Sequence, residues 1–303
     1  MTRPAPATAT APVTAFAVAA IGIASYSAMD ALVKGLSIAH GAYSAVLWRS
    51  LAGVVLLAPV FVVRRKPLPS REAMILHAAR GTVAGASVLL FFWGLVRVSM
   101  AQGVALTFLA PLIALFLAAV VLGETIARGA ILGSLVASLG VLLIAGGQVQ
   151  AHASSDAVMG SVAIVAASVL YAGSLILLRR QAQLADPLEV ALFTSIVLSV
   201  LLLAGAPWFG AVAPVVRLPE IFGAAALGSV SAVLLAWAYG RAEAQVLAPV
   251  EYTAFIWSAI LGWIVFGERV SAWTIGGAVL IVAGSLVALR GKTVPIPHTE
   301  AAA

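Results

Sequence analysis

Ten apolar stretches, each long enough to cross a lipid bilayer, limit what this chain can fold into. They run approximately Val13–Ile38, Ala42–Val63, Ala73–Val96, Val104–Leu122, Ala127–Gly147, Val158–Leu178, Leu188–Ala206, Ile221–Gly240, Val246–Phe266 and Trp273–Leu289. A helix of about 20 residues rising 1.5 Å per residue covers a hydrocarbon core about 30 Å thick. A transmembrane β-barrel needs segments of about ten residues in which apolar and polar positions alternate; these stretches are apolar at nearly every position. Helices remain, because backbone polar groups in lipid must be bonded within their own segment. Only 9% of residues are charged and mean hydropathy is +1.12, against about 25% charged in soluble domains, so a water-soluble fold is excluded.

The basic residues set the expected orientation. With a cytoplasmic amino terminus, Arg3, Arg64, Arg65, Lys66, Arg71, Arg128, Arg179, Arg180, Arg241, Arg290 and Lys292 fall inside, and Lys34, Arg97, Arg217 and Arg269 outside. Eleven against four places both termini in the cytoplasm by the positive-inside rule. The net charge of +6 reflects this loop distribution and implies no nucleic-acid partner. Arg3 and the small residues Ala24–Ala28 resemble a signal peptide, but the apolar run outlasts a signal core and predicts a retained first helix. Cysteine is absent, which removes thiol chemistry and thiolate metal sites.

The chain repeats itself. A displacement of 144 puts Trp93 on Trp237, Arg97 on Arg241, Ala110 on Ala254, Gly123-Glu124 on Gly267-Glu268, Gly133 on Gly277 and Gly140 on Gly284; one of 145 puts Tyr26 on Tyr171 and Lys34 on Arg179. The expected organisation is a tail at 1–12, a five-helix repeat at 13–150, a second at 151–290 and a tail at 291–303. Five spans is an odd number, so the second copy enters the membrane from the opposite side. The fold class expected is an all-α membrane protein of two inverted five-helix repeats, a recurrent design of secondary transporters whose binding site lies between the halves.

Phe92-Trp93-Gly94-Leu95-Val96-Arg97 with Ala110-Pro111 and Val121-Leu122-Gly123-Glu124, repeated as Ala236-Trp237-Ala238-Tyr239-Gly240-Arg241 with Tyr252-Thr253 and Val265-Phe266-Gly267-Glu268, resembles the EamA branch of the drug/metabolite transporter superfamily over essentially the whole chain. The resemblance implies a multi-pass protein of the bacterial inner membrane that exports amino acids, aromatic ones among them, related metabolites or toxic compounds. One departure is visible: Pro111 of the first repeat corresponds to Phe255 in the second, which argues against matched kinks.

Ionisable groups at membrane depth are functional candidates. Asp30 and Lys34, four apart on the first helix, share a face where they can form a local ion pair; Asp30 is also a candidate proton carrier or ammonium ligand. Glu251 has no basic partner three or four residues away, so it must protonate, face water or pair across helices. Arg49 and Arg80 suit a substrate carboxylate or interface anchoring. Tyr26, Trp93, Phe108, Tyr171, Trp237, Tyr239, Tyr252 and Trp257 complete the expected substrate-binding set, since an aromatic-lined pocket with few polar groups suits a small amphipathic solute. Glu124, Glu268, Arg97 and Arg241 are read as helix-end residues, and Gly81/Gly85 and Gly129/Gly133 as close-packing positions.

No catalytic constellation, metal spacing or phosphate-binding loop occurs at a shared depth, and no cofactor is expected. A membrane enzyme is disfavoured, and ATP-driven transport needs a partner chain. Proton antiport, uncoupled diffusion, drug export and a sensor or scaffold without transport stay open. A monomer holds both repeats and suffices in principle.

Overall fold

The computed structural model describes residues 10–65, 68–122, 128–150, 154–181, 184–209, 215–239 and 250–289. The helices are α1 (Thr10–His40), α2 (Ala42–Val63), α3 (Arg71–Leu95), α4 (Met100–Thr107), α5 (Ala110–Leu122), α6 (Arg128–Gln150), α7 (Ser155–Gln181), α8 (Pro187–Phe209), α9 (Leu218–Tyr239), α10 (Thr253–Phe266) and α11 (Ala272–Leu289). A 3₁₀ turn, Val215–Arg217, leads into α9, and there is no strand among the described residues. Six helices (α1, α2, α3, α7, α8 and α9) are long and apolar enough to span a bilayer, and the shorter apolar helices occupy the remaining windows. The fold is that of a multi-pass membrane protein.

Helix starts follow local chemistry. Ser70 accepts a hydrogen bond from the Ala73 N–H, Ser99 from Gln102 and Asp186 from Glu189, satisfying donors that have no partner inside the helix. Pro187 follows Asp186 as the first residue of α8, where its missing N–H costs nothing.

The fourth window is broken. Phe108 and Leu109 donate to carbonyls three residues back, Ala105 and Leu106, and α5 begins at Ala110. Pro111 explains the break, because it has no N–H for the Thr107 carbonyl and its ring crowds the turn before it. The ninth window breaks at the matching place without a proline: residues 250–251 are helical, Tyr252 is a turn and α10 starts at Thr253. There the Thr253 hydroxyl donates to the Val250 carbonyl at 2.6 Å, offering that acceptor an alternative to the helical bond. The expectation of unmatched kinks, based on Phe255, is therefore corrected.

Packing runs α6 along α11, α3 along α7, α1 along α9 and α2 along α8, with α4 and α10 meeting across the bundle. Glycines set the closest crossings. A Cβ on Gly140 would lie 2.5 Å from the Gly277 carbonyl oxygen, and one on Gly277 would lie 2.6 Å from that of Gly140. Likewise Gly81 and Gly85 face Val197 and Leu198 of α8 at 2.7 and 2.6 Å, so the small residues of α3 serve packing, as their spacing indicates. The outer surface is apolar: Val233, Trp263, Val279 and Leu142 are each more than 60% exposed. Such a surface is suited to lipid and untenable in water.

Candidate functional site

Several of the charged and aromatic residues inside the bundle belong to one electrostatically linked group. Tyr26 and Asp30 lie on α1, Arg49 on α2, Arg80 on α3 and Tyr171 on α7, with Glu251 and Tyr252 just ahead of α10. Asp30, Arg49 and Tyr26 interact electrostatically, Tyr26 also with Tyr171, and Tyr171 with both Glu251 and Arg80. Glu251 also acts on Tyr252, whose ring meets Phe108 edge-on at 5.2 Å. Both breaks in the helices thus contribute a ring to one contact. Six residues expected at the site are joined in this way: Tyr26, Asp30, Phe108, Tyr171, Glu251 and Tyr252.

Other expected residues stand elsewhere. Trp93 packs beside the α1–α2–α3 core, and the Arg97 guanidinium sits over its ring at 3.5 Å while donating to the Trp93 carbonyl at 2.6 Å. Trp237 continues the exposed stripe of Phe222, Val230 and Val233 along α9, and Trp257 borders the exposed Ile256, Ile260 and Ile264 on α10. The side chain of Tyr239 lies outside the described residues, as do Glu124 and Arg241.

Two expectations about charge are corrected. Lys34 turns away from a local pair with Asp30: its ammonium donates to Glu268 and, at 2.8 Å, to the Val98 carbonyl. Arg49 and Arg80 are 3% and 0% exposed, which rules out anchoring at an interface. Arg49 borders a small cavity of about 10 Å³, room for about one water, between α2, α8 and α9, lined also by Ser50, Ser195 and Ser229. Room for it comes from Gly53, where a Cβ would approach the Ser195 hydroxyl to 3.1 Å.

A second polar group escaped sequence reasoning. His77 Nε2 faces Glu189 Oε1 at 3.0 Å, and His77 Nδ1 faces the Gln181 amide nitrogen. Arg80 Nη1 donates to Gln181 Oε1 at 3.2 Å and to Thr194 Oγ1 at 3.0 Å. These residues come from α3, α7 and α8, are each no more than 9% exposed, and have no spacing signal linking them along the chain. Among the described residues no group of His, Asp and Glu is arranged to hold a metal.

An all-helical apolar bundle with charged and aromatic groups in its interior is a multi-pass membrane protein. The model of the EamA-like transporter family matches the chain twice, over residues 13–146 and 158–290, and the chain belongs to that family. It is similar to the pseudopaline exporter CntI of Pseudomonas aeruginosa, 28% identical over 88% of this chain and 93% of the relative. It also resembles the riboflavin transporter of Brucella anthropi, at 24% over 88% and 94%, and the S-adenosylmethionine uptake transporter of Rickettsia bellii, at 23% over 88% and 90%. A crystal structure 22% identical to the chain superimposes with a TM-score of 0.60, covering 92% of this chain and 99% of that one, and shares its fold.

Proposed function

We propose that this protein exports amino acids, aromatic or otherwise hydrophobic, across the bacterial inner membrane by alternating access around the interior cluster. The observation that carries the reading is the convergence of Tyr26, Asp30, Tyr171, Glu251 and Tyr252 from three separate parts of the chain. Two carboxylates among tyrosine and phenylalanine rings offer a counter-charge for an ammonium and apolar faces for a side chain. In a lipid-surrounded interior such groups are retained for a solute or ion rather than for stability. Trp93, Trp237 and Trp257, which stand apart from this cluster, are not assigned to the solute.

Alternating access follows if residues 13–150 and 151–290 are inverted copies with both termini cytoplasmic. Helix packing supports this. Advancing each window by five exchanges the α3–α7 contact with α9–α1 and returns α2–α8 and α6–α11 to themselves. The paired helix breaks at Phe108 and Tyr252 are related in the same way, and broken helices at the midplane are where transporters of this design bind their solutes.

The test is counterflow in proteoliposomes. Vesicles loaded with unlabelled phenylalanine, tyrosine or leucine are expected to take up the labelled form, and Glu251→Gln is expected to reduce the rate about tenfold or more while leaving insertion intact. Absence of counterflow for every amino acid tested would remove the substrate assignment; an unchanged Glu251→Gln rate would remove that residue from the site.

A further inference from the structure

The buried group around His77 contains a hydrogen-bond relay whose direction is fixed at one end. A guanidinium has donors only, so the Arg80 contact at 3.2 Å holds the Gln181 amide with its oxygen toward Arg80 and its NH₂ toward His77. An NH₂ group donates, so His77 Nδ1 must accept, which leaves the ring proton on Nε2, where it is donated to the Glu189 carboxylate at 3.0 Å. The orientation of one arginine therefore sets the tautomer of a histidine two residues along the relay.

A second proton on the imidazole disrupts this order. Protonated Nδ1–H would point at the Gln181 NH₂, donor against donor. Rotating the amide to present its oxygen would turn the NH₂ onto Arg80, again donor against donor. The relay as drawn leaves Nδ1 without a proton, and a proton placed there breaks the Arg80–Gln181 bond, one of several contacts between α3 and α7. The Arg80 guanidinium keeps its bond to Thr194 at 3.0 Å and its interaction with Tyr171 of the interior cluster.

We propose that His77 is the coupling-proton site of this transporter: proton uptake at Nδ1 unlocks Gln181 from Arg80, and proton loss restores the tie. Among the described residues the charged and titratable groups nearest the ring along these helices are Arg80 on its own helix, Glu189 on α8 and Asp186 at the α8 N-terminus, where it bonds the Glu189 N–H, with Arg71 and Glu72 of α3 and Arg180 of α7 exposed at the helix ends. Phe193 stacks on the ring at 4.8 Å and is met edge-on by Phe61 of α2; the α2 cations Arg64 and Arg65 are exposed beyond it. The proton released returns to water on the side to which the site is then open. Proton binding stands on this geometry, while coupling rests on the transport reading above.

The experiment uses the full chain with His40, His152 and His298 changed to Asn, leaving His77 as the sole one of four histidines. Imidazole ¹⁵N NMR in lipid nanodiscs is expected to show an Nε2–H tautomer at pH 9 and a doubly protonated ring at pH 5. Gln181→Glu supplies an acceptor to both Arg80 and Nδ1–H, and is expected to move half-protonation upward by about one pH unit, tenfold in proton affinity. A ring that keeps one charge state from pH 5 to 9, or titrates at the same pH in both proteins, overturns the proposal. In proteoliposomes reconstituted to equal protein content, an imposed pH gradient is expected to drive phenylalanine accumulation in the wild type and to fail to do so in His77→Gln. Gradient-driven accumulation by His77→Gln overturns coupling through this site. Absence of phenylalanine counterflow in the wild type overturns the substrate reading, and the NMR titration still decides proton binding.

Discussion

Lys34 of α1 forms an ion pair with Glu268, which lies 234 positions further along the chain. The pair exists because of Gly267. That residue sits at φ 66° and ends α10, with its own N–H bonded to the Trp263 carbonyl, the 5→1 bond of a left-handed helix stop, and with the Glu268 N–H bonded to the Gly262 carbonyl. Glu268 also accepts from the Met100 N–H at 2.7 Å, so one carboxylate joins α1, α4 and α10. Breaking a buried pair leaves an uncompensated charge at a cost of about 3–5 kcal/mol; Glu268 is 19% exposed, so about 2–3 kcal/mol is expected of Lys34→Met or Glu268→Gln. Thermal unfolding in detergent should show each single change costing more than half of what the double change costs. Strict additivity would remove the pair as a stabilising unit.

The α6–α11 crossing predicts a steric effect. With the Gly277 carbonyl 2.5 Å from a Cβ at Gly140, Gly140→Ala forces backbone apart from backbone, where no rotamer change relieves the contact. Overpacking of this kind costs about 1–3 kcal/mol. Gly35, with open space where its Cβ would be, is the control: Gly35→Ala is expected to keep or raise the melting temperature, because alanine has the better helix propensity. Equal melting temperatures for the two variants would show that the crossing adjusts freely.

Much of this architecture was legible in the sequence because it depends on patterns repeated over long segments. The windows are set by bilayer thickness, and the described helices follow most of them to within a few residues, the fourth and ninth being broken near their middles. The glycines announced close packing through spacing alone. What stayed hidden depends on single tertiary contacts. Asp30 and Lys34 share a helix face, yet Lys34 meets a carboxylate brought in by a turn at the far end of the chain. His77, Gln181 and Glu189 occupy three helices, and no periodicity joins them. Trp237 matches Trp93 in sequence, but the first lies on an exposed stripe and the second beside a buried core, because equivalent positions of two copies need not face equivalent surroundings.

The Phe108–Tyr252 contact at 5.2 Å joins the two helix breaks at the interior cluster. An edge-to-face ring pair contributes about 0.5–1.5 kcal/mol beyond its area. If solute enters between these rings, Phe108→Ala should weaken half-saturation for phenylalanine by about tenfold or less, since 1.4 kcal/mol is a factor of ten. Tyr252→Phe keeps both ring faces and should keep that affinity while altering whatever depends on the hydroxyl beside Glu251. Saturation curves in proteoliposomes separate these effects. Identical curves for Phe108→Ala and the wild type would place solute elsewhere.

Inverted repeats make a topological prediction that needs no substrate. The chain contains no cysteine, so any cysteine introduced is the sole reactive thiol and its accessibility reports one position. Arg64 and Arg217 are exposed and end up on opposite faces if windows alternate from a cytoplasmic start, as does exposed Ser154 between the two copies relative to Arg64. In intact cells a membrane-impermeant maleimide is therefore expected to label Ser154→Cys and Arg217→Cys and to spare Arg64→Cys until the membrane is opened. All three lie at exposed turns or helix ends, so substitution there leaves the packed interior alone. Labelling of Ser154→Cys and Arg64→Cys from the same side would mean an even number of spans between them, which leaves the copies parallel and withdraws the geometric basis for alternating access.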